Sequence, residues 1–480
     1  MGPGLVASII GGYFLLLLGI SYLTSKKNSN DAFFTGDRSS PWYLVAFGMI
    51  GASLSGVTFI SVPGEVGNSY WYYFQIVLGY LAGYMVIAKL LLPLYYKLQL
   101  VSIYTYLERR LGTISYKTGA FFFLLSRVIG ASFRLFLVSG VLQIAFFEPM
   151  GLPFWIAVLT AIVLIWLYTY RGGIKTIVWT DTLQTAFMLL SVVVSIYFIK
   201  DELAWSWMDV SKNVLDDARS QVFNWEWNHP RNFFKQFFAG AFIAIVMTGL
   251  DQDMMQKNLT CRTLKDAQKN MYWFSGTLIL VNLLFLILGV MLYQFAEIQQ
   301  LSIPERSDNL FPFLAVNHFS TIGGVVFLLG ITAAAYSSAD SALTALTTSF
   351  CIDFLGFKTE NFDKKIRLRK TVHFGFSILL FFVILIFDAI NDASVINAIF
   401  AIASYTYGPL LGLFAFGIFT KWSVRDRLVP LVCITSPVLC YFINQYSNVL
   451  LNGYSFGFEL LILNGLLTFT GLWLIAYRSK

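Results

Sequence analysis

A short polar run interrupts the long apolar stretch between about Phe311 and Leu355. It reads Ser337-Ser338-Ala339-Asp340-Ser341 and contains one carboxylate. An aspartate at the centre of a membrane helix costs about 2.5 to 3.5 kcal/mol, because hydrocarbon solvates neither charges nor bare hydroxyls. A bound cation, an aqueous cavity or a buried partner would offset that cost. Each of these explanations indicates a functional site rather than simple packing.

A second interrupted stretch runs from Gly48 to Gly64 and combines glycine, serine and proline within another apolar run. Glycine and proline weaken a helix, and an unwound turn frees carbonyl oxygens that suit a hard monovalent cation. The alternative is a close crossing of two helices through small residues, which is common in membranes. The hydroxyls around the interruption favour a binding site; they belong to Ser53, Ser55, Thr58 and Ser61.

The small and polar residues of the later run recur at helical spacing. Ala334, Ser337 and Ser341 share one helical face, with Ser338 beside them. Hydroxyls and a carbonyl on one face would complete an oxygen cage begun by the interrupted helix. In the alternative interpretation, the serines bond back to their own helix.

Asp181 is a second acid within an apolar run, and we expect it at a depth similar to that of Asp340. Two buried carboxylates at one level suggest a cation or a shared proton between them. Alternatively, Asp181 reaches interfacial water at the end of its span.

Arg127 and Arg134 lie seven residues apart, so they share one helical face. An arginine at this depth should face a cavity, where it pairs with an acid or awaits an anionic substrate. For Arg127 a structural ion pair is the stronger alternative. Gln75 is an uncharged candidate for the same cavity.

Another predicted span ends at Asp251–Gln256, which contains two acids. At a helix C-terminus these acids would oppose the helix dipole, so we expect them to bond to neighbouring loops or form a gate.

The elements that position these residues must be membrane helices. Of 480 residues, 57% are hydrophobic and 12% are charged, whereas a soluble domain carries about 25% charged residues. Too few polar residues remain to cover a water-facing surface. The net charge of +7 therefore reflects orientation in a membrane rather than a nucleic-acid surface.

At about 20 apolar residues per span, the sequence predicts about thirteen transmembrane helices. Most of the 33 lysines and arginines then fall in loops on one side, which places the N-terminus outside and the C-terminus in the cytoplasm. The run 311–355 is too long for one straight helix, and we expect a short separate helix before Thr321. The predicted spans are 5–25, 42–66, 71–97, 118–147, 153–170, 174–199, 232–254, 271–296, 311–355, 371–388, 392–420, 428–446 and 453–477.

Several function classes find no support in the sequence. No G-x-x-x-x-G-K-[ST] motif is present to bind ATP phosphates, so uphill transport would need an ion gradient. Gly-x-Ser-x-Gly and His-Glu-x-x-His are also absent, and we predict no enzyme and no catalytic residues. A channel or receptor on the same scaffold is the alternative from a different class, although no loop is long enough for a signalling domain.

Four motifs together resemble the sodium/solute symporter family, which includes bacterial sodium/galactose, sodium/proline and sodium/sialic acid symporters. The match extends over nearly the whole chain. The motifs are Leu54–Phe59 with Pro63-Gly64, Tyr170–Gly173 with Thr180–Gln184, Asp251–Gln256, and Ala334 with Ser337-Ser338.

This resemblance implies an all-α, polytopic LeuT-type fold with a 5+5 inverted repeat, in the plasma (inner) membrane. Residues 42–199 would form the first repeat and 232–420 the second, with an extracellular loop at 200–231. One extra helix (1–30) would precede the repeats, and two more (421–480) would follow them.

The resemblance also implies one or two coupling sodium ions. The first would bind Gly51, Leu54, Ala334, Ser337 and Ser338. A possible second ion would use Asp181, Ser337, Asp340 and Ser341. Asp340 departs from the sialic-acid-type relatives, which have a hydroxyl at this position.

Carried over in the same way, Ser53, Ser55, Thr58, Gln75 and Arg134 would bind the substrate. We therefore expect sodium-coupled import of a small polar solute by alternating access, with a carboxylate-bearing sugar such as sialic acid as the first candidate. A neutral sugar, a polyol or a monocarboxylate is the alternative. The partners implied are the substrate, sodium and lipid, with no nucleic acid and no obligatory protein partner.

Overall fold

The computed structural model describes residues 3–24, 30–357, 365–390 and 395–478, and these residues are almost entirely helical. A helix satisfies its backbone groups internally, which a chain in hydrocarbon requires. The helices are α1 (Pro3–Thr24), α2 (Asn30–Thr35), α3 (Trp42–Ser69), α4 (Tyr73–Val86), α5 (Leu92–Lys97), α6 (Thr105–Arg110), α7 (Thr113–Leu142), α8 (Phe154–Glu202), α9 (Trp207–Asp216), α10 (Phe233–Ala244), α11 (Gln252–Asn258), α12 (Leu264–Ile298), α13 (Leu310–Asn317), α14 (Thr321–Ser349), α15 (Ile366–Ile390), α16 (Val395–Thr406), α17 (Gly408–Phe419), α18 (Val429–Gln445), α19 (Ser447–Leu450) and α20 (Leu460–Leu474).

Shorter elements join these helices. An antiparallel pair, β1 (Ser423–Val424) and β2 (Ala476–Tyr477), fastens the end of the chain to the loop after α17. The π-helical turns are Ile87–Leu91, Gln143–Phe147, Ile245–Gly249 and Phe350–Phe354, and the 3₁₀ turns are Gly36–Arg38, Tyr70–Tyr72, Glu148–Met150, Ala218–Ser220, Ser307–Asn309 and Asp426–Leu428.

In the described part of the chain, four helical runs are broken or bent. The break predicted between Gly48 and Gly64 is confirmed, because Ser55 in α3 has a φ of 53°. Within α8, Gly173 has a φ of 52°, so the predicted spans 153–170 and 174–199 are its two halves. The side chains of Tyr170, Arg171 and Gly172 in the motif before this break lie outside the described residues. A bend of 69° separates α10 from α11, and a bend of 46° separates α16 from α17.

Among the described residues, seven helical runs are long and apolar enough to cross a membrane, and the two bent pairs would bring the number to nine. Three shorter apolar helices accompany them: Ser8–Thr24, Phe154–Thr169 and Leu460–Leu474. The run Trp42–Lys97 contains two of the predicted spans, divided at Tyr70, where φ is 55°. The total of thirteen stays a prediction. The short helix expected before Thr321 is confirmed as α13.

Four helices (α3, α8, α12 and α14) form the centre of the molecule. The second half of α14, through Ser349, is buried without interruption from Gly330. Beside this centre, α4 and α10 cross so closely that their backbones are in contact. A Cβ at Gly240 would lie 2.1 Å from the Ile76 carbonyl oxygen, and one at Gly79 would lie 2.1 Å from the Phe237 carbonyl oxygen. Small residues permit such backbone contact between membrane helices.

Candidate functional site

The break in α3 lies against the serine-rich part of α14. The Ser338 hydroxyl is 3.5 Å from the Ala52 carbonyl oxygen and 3.3 Å from the Ala334 carbonyl oxygen. A residue with positive φ cannot continue a right-handed helix, so carbonyls in the turn before Ser55 are the ones that lose ideal helical partners. Gly51 and Leu54 belong to that turn. The structure therefore brings together the two segments expected to form the first sodium site.

The residues of this first site fit a sodium ion. Gly51, Leu54, Ala334, Ser337 and Ser338 are all buried, and they offer carbonyl and hydroxyl oxygens, the ligands that hard cations prefer. The Ser337 hydroxyl donates a hydrogen bond to Asp181 Oδ1 at 2.7 Å. The lone pairs of the Ser337 oxygen therefore stay available to a cation. Among the described residues, the Ser338 hydroxyl makes only the two long contacts above.

Gly51 also fixes the distance between α3 and α8. Its N–H donates to Thr185 Oγ1 at 3.1 Å, and a Cβ at this position would lie 2.2 Å from the same oxygen. Only glycine permits that approach, which sets the broken turn of α3 beside the helix that carries Asp181.

A lysine lies among the residues expected at the second sodium site. Lys257 Nζ is 2.7 Å from Asp181 Oδ2 and donates to Ser341 Oγ at 2.8 Å. Asp340 Oδ2 accepts a hydrogen bond from the Tyr168 hydroxyl at 2.8 Å. Asp181 and Asp340 are fully buried, and Lys257 and Ser341 are each only 1% exposed. Asp181 therefore does not reach interfacial water.

The candidate substrate cavity adjoins the break in α3. Its empty space, counted together with the solvent at its opening, is about 700 Å³, and Ser53, Ser55, Thr58 and Arg134 all line it. Within the described part of the chain, Arg134 Nε and Nη1 have no hydrogen-bond partner. A buried guanidinium without a partner carries a large desolvation cost, which an anionic ligand would offset.

Arg127 also borders the cavity, but it is paired with acids. Its guanidinium contacts the Asp253 carboxylate directly and lies 3.9 Å from Asp251 Oδ2. The Tyr407 hydroxyl donates to that same Asp251 oxygen at 2.6 Å. The alternative of a structural ion pair is therefore the one observed for Arg127.

The acids of Asp251–Gln256 differ from their expected setting at a helix C-terminus. Asp251 is the N-cap of α11, and its side chain accepts hydrogen bonds from the Asp253 and Met254 N–H groups. A carboxylate at a helix N-terminus is favoured by the dipole. The acids begin a helix rather than end one because the chain bends after Gly249 and a new helix starts there.

Gln75 does not line the cavity, contrary to expectation. Its amide nitrogen donates to the carbonyls of Tyr72 (3.3 Å) and Arg231 (3.1 Å), and its oxygen accepts from the Asn224 N–H at 3.2 Å. These backbone partners satisfy the amide, so Gln75 fastens the 200–231 loop to α4.

Sequence reasoning missed other residues of the cavity and its surroundings. Three tyrosines of α4 and one asparagine of α12 line it: Tyr73, Tyr80, Tyr84 and Asn282. The tyrosines recur at steps of seven and four residues, which is the signal that could have identified this face. For Lys257 no signal was available, because a lysine beside a predicted span end is usually solvated.

Proteins similar to this chain indicate its family. The model of the sodium:solute symporter family matches residues 33–425. The sodium/sialic acid symporter of Aliivibrio fischeri is 23% identical over 443 residues, covering 88% of this chain and 85% of its own. The sodium/sialic acid symporter of Proteus mirabilis is 24% identical over 434 residues, covering 86% of this chain and 84% of its own.

One solved structure has the same fold. It is a substrate-bound, outward-open sodium-coupled sialic acid symporter, with a TM-score of 0.84, 18% identity, and 99% of each chain covered. This likeness confirms the predicted LeuT-type architecture. The chain belongs to the sodium:solute symporter family, whose members are sodium-coupled membrane transporters and not enzymes.

Proposed function

We propose that this protein imports a carboxylate-bearing sugar, such as sialic acid, together with sodium. The observation that carries the proposal is the buried, unpaired edge of Arg134 in a cavity that also presents Ser53, Ser55 and Thr58. A guanidinium binds a carboxylate with charge-assisted hydrogen bonds, and the hydroxyls suit its oxygens and those of a sugar. The two similar sialic acid symporters support the same substrate class.

Sodium and substrate are coupled through the turn they share. The ion binds Gly51, Leu54, Ala334, Ser337 and Ser338, and Ser55 lies at the end of the same turn with its side chain bordering the cavity. Ion binding orders this turn and so lowers the conformational cost of substrate binding. By linkage, the substrate must tighten sodium binding by the same factor.

We propose that residues 42–199 and 232–420 form the two halves of the inverted repeat, with one additional helix in 1–30 and two in 421–480. The break at Ser55 and the 69° bend after Gly249 support this division, because interrupted helices at corresponding positions of two repeats are typical of such transporters. The chain lies in the inner membrane with its N-terminus and the 200–231 loop outside and its C-terminus in the cytoplasm.

Uptake by proteoliposomes tests the proposal. With an inward sodium gradient we expect accumulation of radiolabelled sialic acid, and with an equal potassium gradient we expect only equilibration. Unlabelled sugar acids should compete, whereas neutral sugars, polyols and short monocarboxylates should not. Uptake that ignores the sodium gradient would contradict the coupling, and competition by neutral sugars alone would contradict the substrate class.

Arg134 provides the sharper test of substrate chemistry. Arg134→Gln removes the cation facing the cavity, so the half-saturating concentration of a carboxylate substrate should rise about 10- to 100-fold, the loss of one charge-assisted interaction. Sodium binding should change little. Arg219→Gln is the control, because Arg219 is held by Asp217 and Glu297 and is not among the residues that line the cavity. Equal effects of both changes would contradict the assignment.

A further inference from the structure

Lys257 is a deeply buried lysine, with only 1% of its surface exposed. It lies on α11 and reaches between α8 and α14, where its Nζ contacts Asp181 Oδ2 (2.7 Å) and Ser341 Oγ (2.8 Å). These are two of the residues expected to bind a second sodium ion. The ammonium therefore lies within contact distance of the oxygens that such an ion would need.

The remaining oxygens of this cluster already have protein partners. Asp181 Oδ1 accepts from the Ser337 hydroxyl at 2.7 Å. Ser341 donates to the Ser337 carbonyl at 2.5 Å, and Asp340 Oδ2 accepts from Tyr168 at 2.8 Å. The cluster contrasts with the first site, where the contacts of the Ser338 hydroxyl within the described ranges are 3.3 and 3.5 Å long.

Electrostatics make the ammonium and a second sodium mutually exclusive. Two monovalent cations about 4 Å apart repel strongly enough at an effective dielectric constant of about 20 to weaken binding roughly a thousandfold. The ammonium is covalently attached to α11, so unlike an ion it cannot leave during the transport cycle.

We infer that Lys257 is a built-in cation that replaces the second sodium ion, so that one sodium ion is coupled to each substrate. The inference rests on the proposed sodium coupling and fixes its stoichiometry. It also gives Asp340 a place in the cluster: Asp340 lies on the same helix as Ser341, whose hydroxyl the ammonium contacts, and its carboxyl group is held by Tyr168.

The test removes the ammonium and the second acid together. The double change Lys257→Met with Asp340→Ser leaves Asp181 without the fixed cation that now contacts it. It also leaves one carboxylate and the hydroxyls of Ser337, Ser341 and the new serine, a donor set suited to sodium. We expect this variant to gain one bound sodium ion relative to the wild type.

Equilibrium binding of radioactive sodium to the purified full-length protein, at constant ionic strength with potassium as the balancing ion, gives the count directly. The wild type should bind one ion per chain and the double variant two. Lys257→Arg, which keeps the charge, should bind one. Lys175→Met is the matched control, since it removes a lysine from a partly exposed pair with Asp37 (2.7 Å), and it should also bind one.

Two sodium ions on the wild type, or no gain in a double variant that elutes as a folded monodisperse protein, would overturn the inference. If the double variant does not fold, the wild-type count decides the question alone: one ion supports the inference and two overturn it. Failure of the proposed function is recognisable separately, because the wild type would then show no sodium-dependent uptake.

Discussion

At the residue scale, the first sodium site depends on oxygens that belong to two helices. Ser338 is the side chain that meets the α3 turn, through its contact with the Ala52 carbonyl oxygen. Its neighbour Ser337 is shared, because its hydroxyl also donates to Asp181. Ser338 is therefore the residue whose removal affects the first site with the least disturbance of the lysine cluster.

We expect Ser338→Ala to raise the half-saturating sodium concentration about 10- to 100-fold, since a contact to a charged group contributes about 1.5 to 3 kcal/mol. Sodium-dependent thermal stabilisation of the purified protein measures this without knowledge of the substrate. Ser436→Ala is the control: Ser436 is also buried in a helix, but its hydroxyl donates to the Val432 carbonyl of that helix at 2.8 Å. An unchanged sodium midpoint in Ser338→Ala would rule out the site.

The chemistry of the site could be predicted from residue types, but the partners of its charged groups could not. A carboxylate within an apolar run indicates compensation, and for Asp181 and Asp340 this was correct. The cation that contacts Asp181 is Lys257, which lies 76 positions further along the chain. It reaches Asp181 from a helix that follows a 69° bend, and the sequence did not predict that bend. Arg127 and Arg134 occupy one helical face, so their spacing does not distinguish them. The positions of Asp251 and Asp253 in the structure show that Arg127 is the one paired with acids.

At the element scale, one break in a helix could be predicted from the sequence and one bend could not. The break in α3 was predictable because serine, glycine and proline accumulate there. The bend after Gly249 was not predicted, because Asp251 looked like an acid at a helix end. Its side chain instead accepts hydrogen bonds at the start of α11, which compensates the N–H groups that the bend exposes.

The crossing of α4 and α10 makes a testable contrast. In Gly240→Ala the new Cβ would lie 2.1 Å from the Ile76 carbonyl oxygen, a backbone atom, so the helices must separate. We expect the free energy of unfolding to fall by about 1 to 3 kcal/mol, seen as a lower melting temperature in detergent.

Gly276→Ala is the matched control for this crossing. Gly276 also lies inside a helix, but a Cβ there would meet nothing within 4 Å. Alanine is the better helix former by about 1 kcal/mol, so this change should be neutral or stabilising. Equal losses from both changes would mean that glycine flexibility, rather than close packing, matters at Gly240.

At the scale of the whole molecule, one ion pair uses a residue that lies before α10 in the chain, and another uses a residue that lies after it. In the first pair, Arg231 contacts Glu65 at 2.9 Å, while Tyr73 stacks on Phe400 with ring centroids 6.5 Å apart. In the second pair, Arg127 contacts Asp253. We expect these two ion pairs to act as closures of the cavity that open in turn during alternating access, so each must be stable yet separable.

The side of the membrane that each closure faces follows from the predicted orientation, which labelling can test. The four cysteines are free and buried, so the wild type should react little with a membrane-impermeant maleimide. Asp216→Cys introduces an exposed thiol in the 200–231 loop, and Arg427→Cys introduces one beside the basic residues that follow α17. Because basic loops remain in the cytoplasm, we expect intact cells to label Asp216→Cys, and Arg427→Cys to react only after permeabilisation. The reverse labelling pattern would mean that the chain has the opposite orientation in the membrane. The Arg231–Glu65 pair would then face the cytoplasm.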